Sequence, residues 1–301
     1  MKLATFRQPD AATDQPGATF AALITSVETH DGVETATAAV ALPEVQDVGE
    51  FLAYPTEERE AIVAAALEQA EEQPASVLDP AELTYDTLVP FPTKVFCVGL
   101  NYLNHIEETG QQRPEYPSLF AKFGQSLTAA GAEIEIPAED HRLDYEGELC
   151  IVIGEPGRRI AEADAADHIA GYAVANDVSL RGFQGRTTEW LQGKIFEATT
   201  PVGPWLVTAD EFDGTGTIST FVNGERVQYD DVADQVFSPA QLVSYISTMI
   251  TLLPGDLILT GTPAGVALGR RNDEGRHPWL RSGDVVEVRI EGLGAQRNTI
   301  A

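Results

Sequence analysis

The stretch Leu143-Asp-Tyr-Glu-Gly-Glu-Leu-Cys-Ile-Val-Ile153 carries the pattern that decides the fold of this 301-residue chain. Side chains alternate between the two faces of a strand, so Glu146 and Glu148 share one face. From Leu149 onward both faces are apolar, which is typical of a strand buried on both sides. The segment therefore predicts a buried strand with two carboxylates side by side at its beginning.

Short strands separated by turns surround this segment. They are predicted at Val95–Gly99, Leu149–Ile153, Gly171–Asn176, Pro204–Thr208, Ile218–Val222, Asp256–Thr260 and Val285–Ile290. Asn223-Gly224 predicts a type I′ hairpin. Helices are predicted at Tyr102–Glu108, Glu162–His168 and Pro239–Thr248. Because strands and helices do not alternate strictly, we expect a mainly β (α+β), sandwich- or roll-like fold and not a doubly wound sheet.

The first 90 residues have a different pattern and are predicted to form a small N-terminal α+β accessory domain with a linker. Short strands are expected at Lys2–Arg7, Phe20–Thr25 and Glu34–Leu42. A helix is expected from Glu57 to about Gln73 with Thr56 as its N-cap. The Pro-, Asp- and Thr-rich residues 74–92 are typical of a linker. Residues 91–301 are predicted to form the catalytic domain.

The charge of the chain limits its partners. The chain has 19 basic and 47 acidic residues, which gives a net charge of -28. Such a surface repels nucleic-acid phosphates and anionic lipid, so we expect neither nucleic acid nor membrane as a partner. The sequence has no apolar run of about 18 residues and no leader-like start, which favours a cytoplasmic location. Cys97 and Cys150 lie in separate apolar segments, which argues against a disulfide scaffold.

A third acid, Asp177, ends the apolar segment that begins at Gly171. Close carboxylates in a low-dielectric setting need either a cation or a shared proton. Three carboxylates from two strands would make an all-oxygen site suited to Mg²⁺ or Mn²⁺, and Ca²⁺ could replace them in crystals. Such a site can bind a 2-oxo acid and stabilise an enolate. The alternative is a pair of ordinary solvent-facing acids at a strand start.

Two further positions carry possible chemistry. His105 and Glu108 are three residues apart and hence neighbours on one helical face. A carboxylate that orients an imidazole helps it accept a proton from water, although a surface ion pair is the alternative. Lys194 lies in an apolar, turn-rich stretch, where it either reaches solvent or offsets the charge of an anionic substrate.

Six motifs, in this order, resemble those of the fumarylacetoacetate hydrolase family. They are Gly-Leu-Asn-Tyr-x-x-His, Tyr-Glu-x-Glu-Leu, Asn-Asp-Val-Ser, Gly-Lys-x-Phe, Pro-x-Gly-Pro-Trp and Leu-Thr-Gly-Thr-Pro. The resemblance runs roughly from Lys94 to Ile290. Within the family, the chain resembles the branch of the acylpyruvases and 2-hydroxyhepta-2,4-diene-1,7-dioate isomerases. The resemblance implies a mixed β-sandwich roll, usually a homodimer, with one divalent metal.

The resemblance also implies roles for individual residues. The metal ligands would be Glu146, Glu148 and Asp177. The catalytic residues would be His105 with Glu108, on a segment that closes as a lid in relatives, and Lys194. The substrate-binding residues would be Lys122, Arg181, Gln184 and Thr262.

We expect a metal-dependent hydrolase that cleaves a C–C bond in a β-diketo acid of the acylpyruvate type, through a metal-stabilised enolate. Two other reactions on the same scaffold remain open. One is decarboxylation of oxaloacetate, and the other is isomerisation of a 2-hydroxydienoate, as in aromatic compound catabolism. A non-catalytic keto-acid-binding protein is the alternative from another class, and the His105–Glu108 pair argues against it because a pure binder needs no base.

Overall fold

A ten-stranded mixed sheet dominates the computed structural model, which describes residues 1–9 and 16–301. Within these ranges the strands are β1 Lys2–Pro9, β2 Pro16–His30, β3 Val33–Ala41, β4 Thr84–Tyr85, β5 Val95–Gly99, β6 Ser118–Lys122, β7 Leu127–Thr128, β8 Leu143–Asp144, β9 Gly147–Ile153, β10 Ile169–Asn176, β11 Ser179–Leu180, β12 Thr200–Pro201, β13 Leu206–Thr208, β14 Thr217–Val222, β15 Glu225–Asp231, β16 Leu257–Leu259, β17 Val285–Ile290 and β18 Gly294–Thr299. The α-helices are α1 Val48–Ala53, α2 Thr56–Glu72, α3 Leu103–Glu108, α4 Arg181–Gln184 and α5 Pro239–Met249.

The order of the large sheet is β3-β2-β1-β13-β10-β9-β16-β5-β6, with β4 paired to β1. Only β16 and β5 run parallel among these described neighbours, and the other pairs are antiparallel. Strand β9 lies between β10 and β16, so both of its edges are hydrogen-bonded. The mainly β, mixed fold expected from the sequence is confirmed.

A second sheet of four strands, in the order β15-β14-β17-β18, is antiparallel throughout. Its first hairpin turns at Asn223 and Gly224, whose φ angles are 51° and 83°. Two successive residues with positive φ match the right-handed twist of the flanking strands, as the Asn-Gly sequence predicts.

The large sheet is covered on both faces, which explains why β9 is apolar on both sides. Leu149, Ile151 and Ile153 belong to a core cluster that includes residues of the small sheet and of α5. Cys150 and Val152 belong to a second cluster with residues of α1 and α2. Every residue of β9 is buried. The predicted two-sided burial of this strand is therefore confirmed.

The N-terminal strands extend the same sheet, because β1 pairs with β13 through Lys2–Val207 and Leu3–Leu206. Residues 74–92 also pack against the fold. They contribute β4, a backbone bridge from Leu78 to Ala39, and Leu88, which is fully buried. The division of the chain at residue 90 into two domains stays a prediction.

Several element boundaries agree with the sequence and others need correction. Strands β5 and β17 have the predicted bounds. Helix α2 begins at Thr56 with Pro55 at its N-cap, and the Thr56 hydroxyl accepts a hydrogen bond from Arg59 at 2.9 Å and does not cap the helix. The helix predicted at Glu162–His168 has these bounds and is a 3₁₀ helix. Among the helices described, none combines the length and apolar character needed to cross a bilayer.

Candidate active site

Three buried carboxylates meet where β9 begins and β10 ends. One ligand oxygen from each of Glu146, Glu148 and Asp177 lies within 4.8 Å of the others. The antiparallel pairing of Asn176 with Gly147 brings these strand ends together. The Asp177 amide also donates to the Glu146 carbonyl at 2.8 Å. Pairing between two strands, in the register set by their apolar residues, thus builds the trio that the sequence predicts.

Six buried charged side chains form a continuous series of alternating sign, which we call the charge chain. In spatial order its members are Lys122, Asp177, Lys194, Glu146, Arg181 and Asp144. The five contacts between successive members measure 2.7, 2.9, 2.5, 2.7 and 2.7 Å. Each charge is therefore balanced by a neighbour inside a low-dielectric region, where an unpaired charge is costly.

Glu148 is outside the charge chain. Among the residues that the structure describes, no cationic side chain is within ion-pair distance of its carboxylate, which accepts one hydrogen bond, from the Gly261 amide at 2.7 Å. Burial raises the pKa of Glu148 well above its ordinary value, and the charges of Asp177 and Glu146 raise it further. Burial opposes ionisation of Glu146 as well, but Lys194 and Arg181 outweigh it and lower the pKa to about 2.

The donor set fits a divalent cation. The cluster contains four carboxylates, the three of the trio and Asp144, against three cationic side chains of the charge chain. Among the described residues, Glu148 is the carboxylate of these four that has no cationic side chain within ion-pair distance. The ligand atoms that the trio offers are all carboxylate oxygens, and Mg²⁺ and Mn²⁺ prefer oxygen ligands. Glu146, Glu148 and Asp177 are thus the residues that would hold the ion.

A cavity of about 560 Å³ opens onto this cluster. Eight of the predicted site residues line it, namely His105, Glu108, Glu146, Glu148, Arg181, Gln184, Lys194 and Thr262. The Nδ1 atom of His105 lies 3.3 Å from Oε2 of Glu108. A carboxylate can only accept at this contact, so Nδ1 carries the proton and Nε2 is left as the basic nitrogen.

The structure places two predicted residues outside the cavity wall. Asp177 is fully buried and does not line the cavity, although one of its carboxylate oxygens belongs to the acidic trio. Lys122 lies behind Asp177, where its ammonium also donates to the Thr200 hydroxyl at 2.7 Å and to the Lys194 carbonyl. Lys122 therefore contacts Asp177 and does not line this cavity, and its role in substrate binding stays a prediction.

Sequence reasoning missed two residues that organise the site. The Asp144 carboxylate accepts hydrogen bonds from the amides of Ala267 at 2.7 Å and Leu268 at 3.0 Å, in addition to its ion pair with Arg181. Asp144 lies two residues before Glu146, so the two-residue period of a strand could have indicated it. Gln228 accepts from the Gly147 amide at 3.1 Å and donates to the Thr262 hydroxyl at 2.8 Å, and no local pattern indicates this contact.

Replacing Lys194 by Met should destabilise the metal-free protein by about 3–5 kcal/mol, the usual cost of removing one partner from buried ion pairs. The change leaves Glu146 and Asp177 without the ammonium that contacts both, at 2.5 and 2.9 Å. Urea unfolding with and without Mn²⁺ measures the effect, and the deficit should shrink when the ion supplies positive charge. Lys2→Met, at an ion pair with Glu34 in which both side chains are partly exposed, provides a comparison. A Lys194→Met variant as stable as the wild type would contradict the charge chain.

Comparison with known proteins agrees with the motifs and the fold. Residues 94–301 match the model of the fumarylacetoacetate (FAA) hydrolase C-terminal family. The chain belongs to the fumarylacetoacetate hydrolase family. It is 39% identical over 228 residues to the human mitochondrial oxaloacetate tautomerase FAHD2A, covering 74% of this chain and 71% of that protein.

Two solved structures of family members are also similar. The 2-hydroxyhepta-2,4-diene-1,7-dioate isomerase from Mycobacterium marinum is 29% identical with a TM-score of 0.73, covering 100% of this chain and 98% of that one. Fumarylpyruvate hydrolase from Pseudomonas aeruginosa, in complex with Mn²⁺ and pyruvate, is 33% identical with a TM-score of 0.62, covering 69% and 89%. The family thus includes tautomerases, isomerases and hydrolases, and the buried acidic trio of this member could bind a divalent metal.

Proposed function

We propose that this family member is a hydrolase that depends on Mg²⁺ or Mn²⁺ and cleaves acylpyruvate-type β-diketo acids. The observation that carries the proposal is that one cavity contains two features. One is Glu148, a buried carboxylate with no cationic side chain within ion-pair distance among the described residues, and the other is an oriented acid–base pair, His105 with Glu108. A metal-binding scaffold without turnover would need only the first of these features. The fumarylpyruvate hydrolase with Mn²⁺ and pyruvate supports the same class of substrate.

The residues of the chain can divide the reaction between them. Glu108 accepts from Nδ1 of His105, so Nε2 can take a proton from a water molecule. The resulting hydroxide attacks the carbonyl carbon distal to the substrate carboxylate, and the C–C bond then breaks. The acyl fragment leaves as a carboxylic acid, and the three-carbon fragment leaves as the enolate of pyruvate, which regains a proton from His105.

The cationic side chains of the site stabilise the negative charge that develops on the substrate. Lys194 and Arg181 line the cavity and are held by carboxylates, so their positions are fixed before any substrate binds. When bound, a divalent ion would supply Lewis-acid polarisation of the 2-oxo and carboxylate oxygens. Burial opposes the charge of Lys194, but Asp177 and Glu146 outweigh it and raise its pKa, so this ammonium stays charged at neutral pH.

The test is turnover of acetylpyruvate with Mn²⁺ or Mg²⁺, followed by release of pyruvate in a coupled lactate dehydrogenase assay. We expect release that is abolished by EDTA and restored by added metal. If no acylpyruvate yields pyruvate under these conditions, the proposed hydrolysis is wrong.

Light scattering of the same preparation tests the homodimer, which remains a prediction.

Tautomerisation of oxaloacetate is the second candidate, favoured by the 39% identity to an oxaloacetate tautomerase. This reaction needs a proton moved between carbon and oxygen, and the His105–Glu108 pair can move it without an attacking water. Loss of the enol absorbance of oxaloacetate, without release of pyruvate, would identify this activity and would also separate it from decarboxylation.

The value of kcat/KM should rise with ionic strength. The net charge of -28 repels an anionic substrate, and salt shortens the range of that repulsion to about 10 Å at 0.1 M. Initial rates at low substrate concentration between low and moderate NaCl measure the effect, with kcat at saturation as the control. A flat profile would instead show that the Lys and Arg side chains of the cavity already screen the acidic surface.

A further inference from the structure

The carboxylate of Glu108 rests against the backbone of residues 265–269. The Gly265 amide donates to both of its oxygens at 3.1 Å. Gly269 closes the other side so tightly that a Cβ atom built on it would lie 2.1 Å from Cδ and 2.2 Å from Oε1 of Glu108. Real Cβ atoms do not approach other heavy atoms so closely, so any larger residue at position 269 must displace the carboxylate or the loop.

Gly269 is needed for space and not for backbone conformation. It is not among the described residues with positive φ, unlike Gly265, whose φ is 108°. An alanine could therefore adopt the backbone of Gly269 without strain. This difference makes position 269 a purely steric probe of the Glu108 carboxylate.

The 265–269 loop is itself fixed to the segment that precedes β9. The Tyr145 hydroxyl donates to the Gly265 carbonyl at 2.9 Å. The Asp144 carboxylate accepts from the amides of Ala267 at 2.7 Å and Leu268 at 3.0 Å. Because the loop is hydrogen-bonded at Gly265, Ala267 and Leu268, a Cβ at position 269 is expected to move the side chain of Glu108 more easily than the backbone.

We propose that Gly265 and Gly269 form a seat for the Glu108 carboxylate, and that Gly269 is a positioning residue that keeps His105 oriented for proton transfer. The effect of the seat on activity rests on the proposed function. The seat acts through Glu108, because neither glycine offers a group that could take up or deliver a proton. Its consequence is that the loop that positions Glu108 is anchored by Asp144 and Tyr145, in the same segment as Glu146 and Glu148, two of the three residues that would hold the metal.

A double-mutant cycle tests the proposal. Gly269→Ala should lower kcat for acetylpyruvate hydrolysis at least tenfold, and to the level of Glu108→Ala, with Mn²⁺ affinity unchanged in both variants. In the double variant, Gly269→Ala should have no further effect, because the atoms that its Cβ would meet are gone. Gly131→Ala is the matched control, since a Cβ there meets nothing within 4 Å. Wild-type activity of Gly269→Ala, or additive losses in the double variant, would overturn the proposal.

A second readout does not depend on turnover. The imidazole ¹⁵N chemical shifts of His105 report which nitrogen carries the proton, and Glu108 holds it on Nδ1. Gly269→Ala should shift the neutral ring toward a mixture of tautomers, as Glu108→Ala should. If the wild type hydrolyses no acylpyruvate but Gly269→Ala still shifts the His105 tautomers, the seat is supported and the proposed function is wrong. If the tautomer is unchanged by Gly269→Ala, the seat is wrong whatever the activity.

Discussion

Glu148→Gln is expected to abolish divalent-cation binding and acylpyruvate turnover, and at the same time to raise the midpoint of thermal unfolding of the metal-free protein. Glutamine removes the buried carboxylate charge that has no cationic partner among the described residues. Its side-chain oxygen can still accept from the Gly261 amide, as Glu148 does at 2.7 Å. The variant thus loses the charge that a metal needs but keeps the hydrogen bond that the fold uses.

The pH dependence of this stabilisation follows from the raised pKa of Glu148. In the unfolded chain the group titrates near its ordinary value of 4.5, whereas burial first, and Asp177 and Glu146 next, raise the pKa in the folded protein. Between these two values the folded protein binds more protons than the unfolded chain, so the stability of the wild type falls as pH rises. The advantage of Glu148→Gln should therefore grow upward from pH 4.5, by at most about 1.4 kcal/mol per pH unit, until the folded pKa is passed.

Thermal unfolding in EDTA and in Mn²⁺, between pH 6 and 8.5, measures both effects away from the isoelectric point near 4.3. In EDTA the variant should unfold at a higher temperature than the wild type, and in Mn²⁺ the order should reverse because only the wild type gains binding energy. Glu139→Gln, at an exposed position, is the matched control. Retained turnover with complete loss of metal would exclude the proposed mechanism.

His105→Ala is expected to reduce acylpyruvate hydrolysis by about 10²- to 10⁴-fold, the usual contribution of a positioned acid–base group. Metal affinity should be unchanged, because His105 lines the cavity but is not part of the acidic trio. Release of pyruvate from acetylpyruvate and Mn²⁺ titration calorimetry measure the two properties on the same sample. His141→Ala, at an exposed histidine, controls for the substitution itself.

The same variant separates the candidate reactions. Hydrolysis needs a water molecule activated by a base, whereas decarboxylation of oxaloacetate needs only stabilisation of the enolate. Decarboxylation could therefore survive in His105→Ala, while tautomerisation, which requires proton transfer, should be lost with hydrolysis. Undiminished hydrolysis by His105→Ala would show that another group activates the water.

Much of the candidate site could be predicted from short stretches of sequence. The face shared by Glu146 and Glu148 follows from the two-residue period of a strand, and the neighbourhood of His105 and Glu108 follows from helical spacing. Asp144 fits the same two-residue period, so its place on the same face as Glu146 could have been predicted from this stretch as well. Gly269 and Gln228 had no such signal, because their contacts, with Glu108 and Thr262, depend on how distant loops meet.

The sequence by itself determined which strand is buried on both faces, which carboxylates share one face at its beginning, and that the chain is mainly β. These properties depend on periodicity and turn conformation within a few residues, which the order of amino acids specifies directly. Only the tertiary structure decided how the buried charges balance. Contacts of the charge chain join residues 17, 37 and 48 positions apart, and ion pairing depends on distances in space that no local pattern encodes. For that reason Glu148, the carboxylate with no cationic side-chain partner among the described residues, could be identified only from the folded structure.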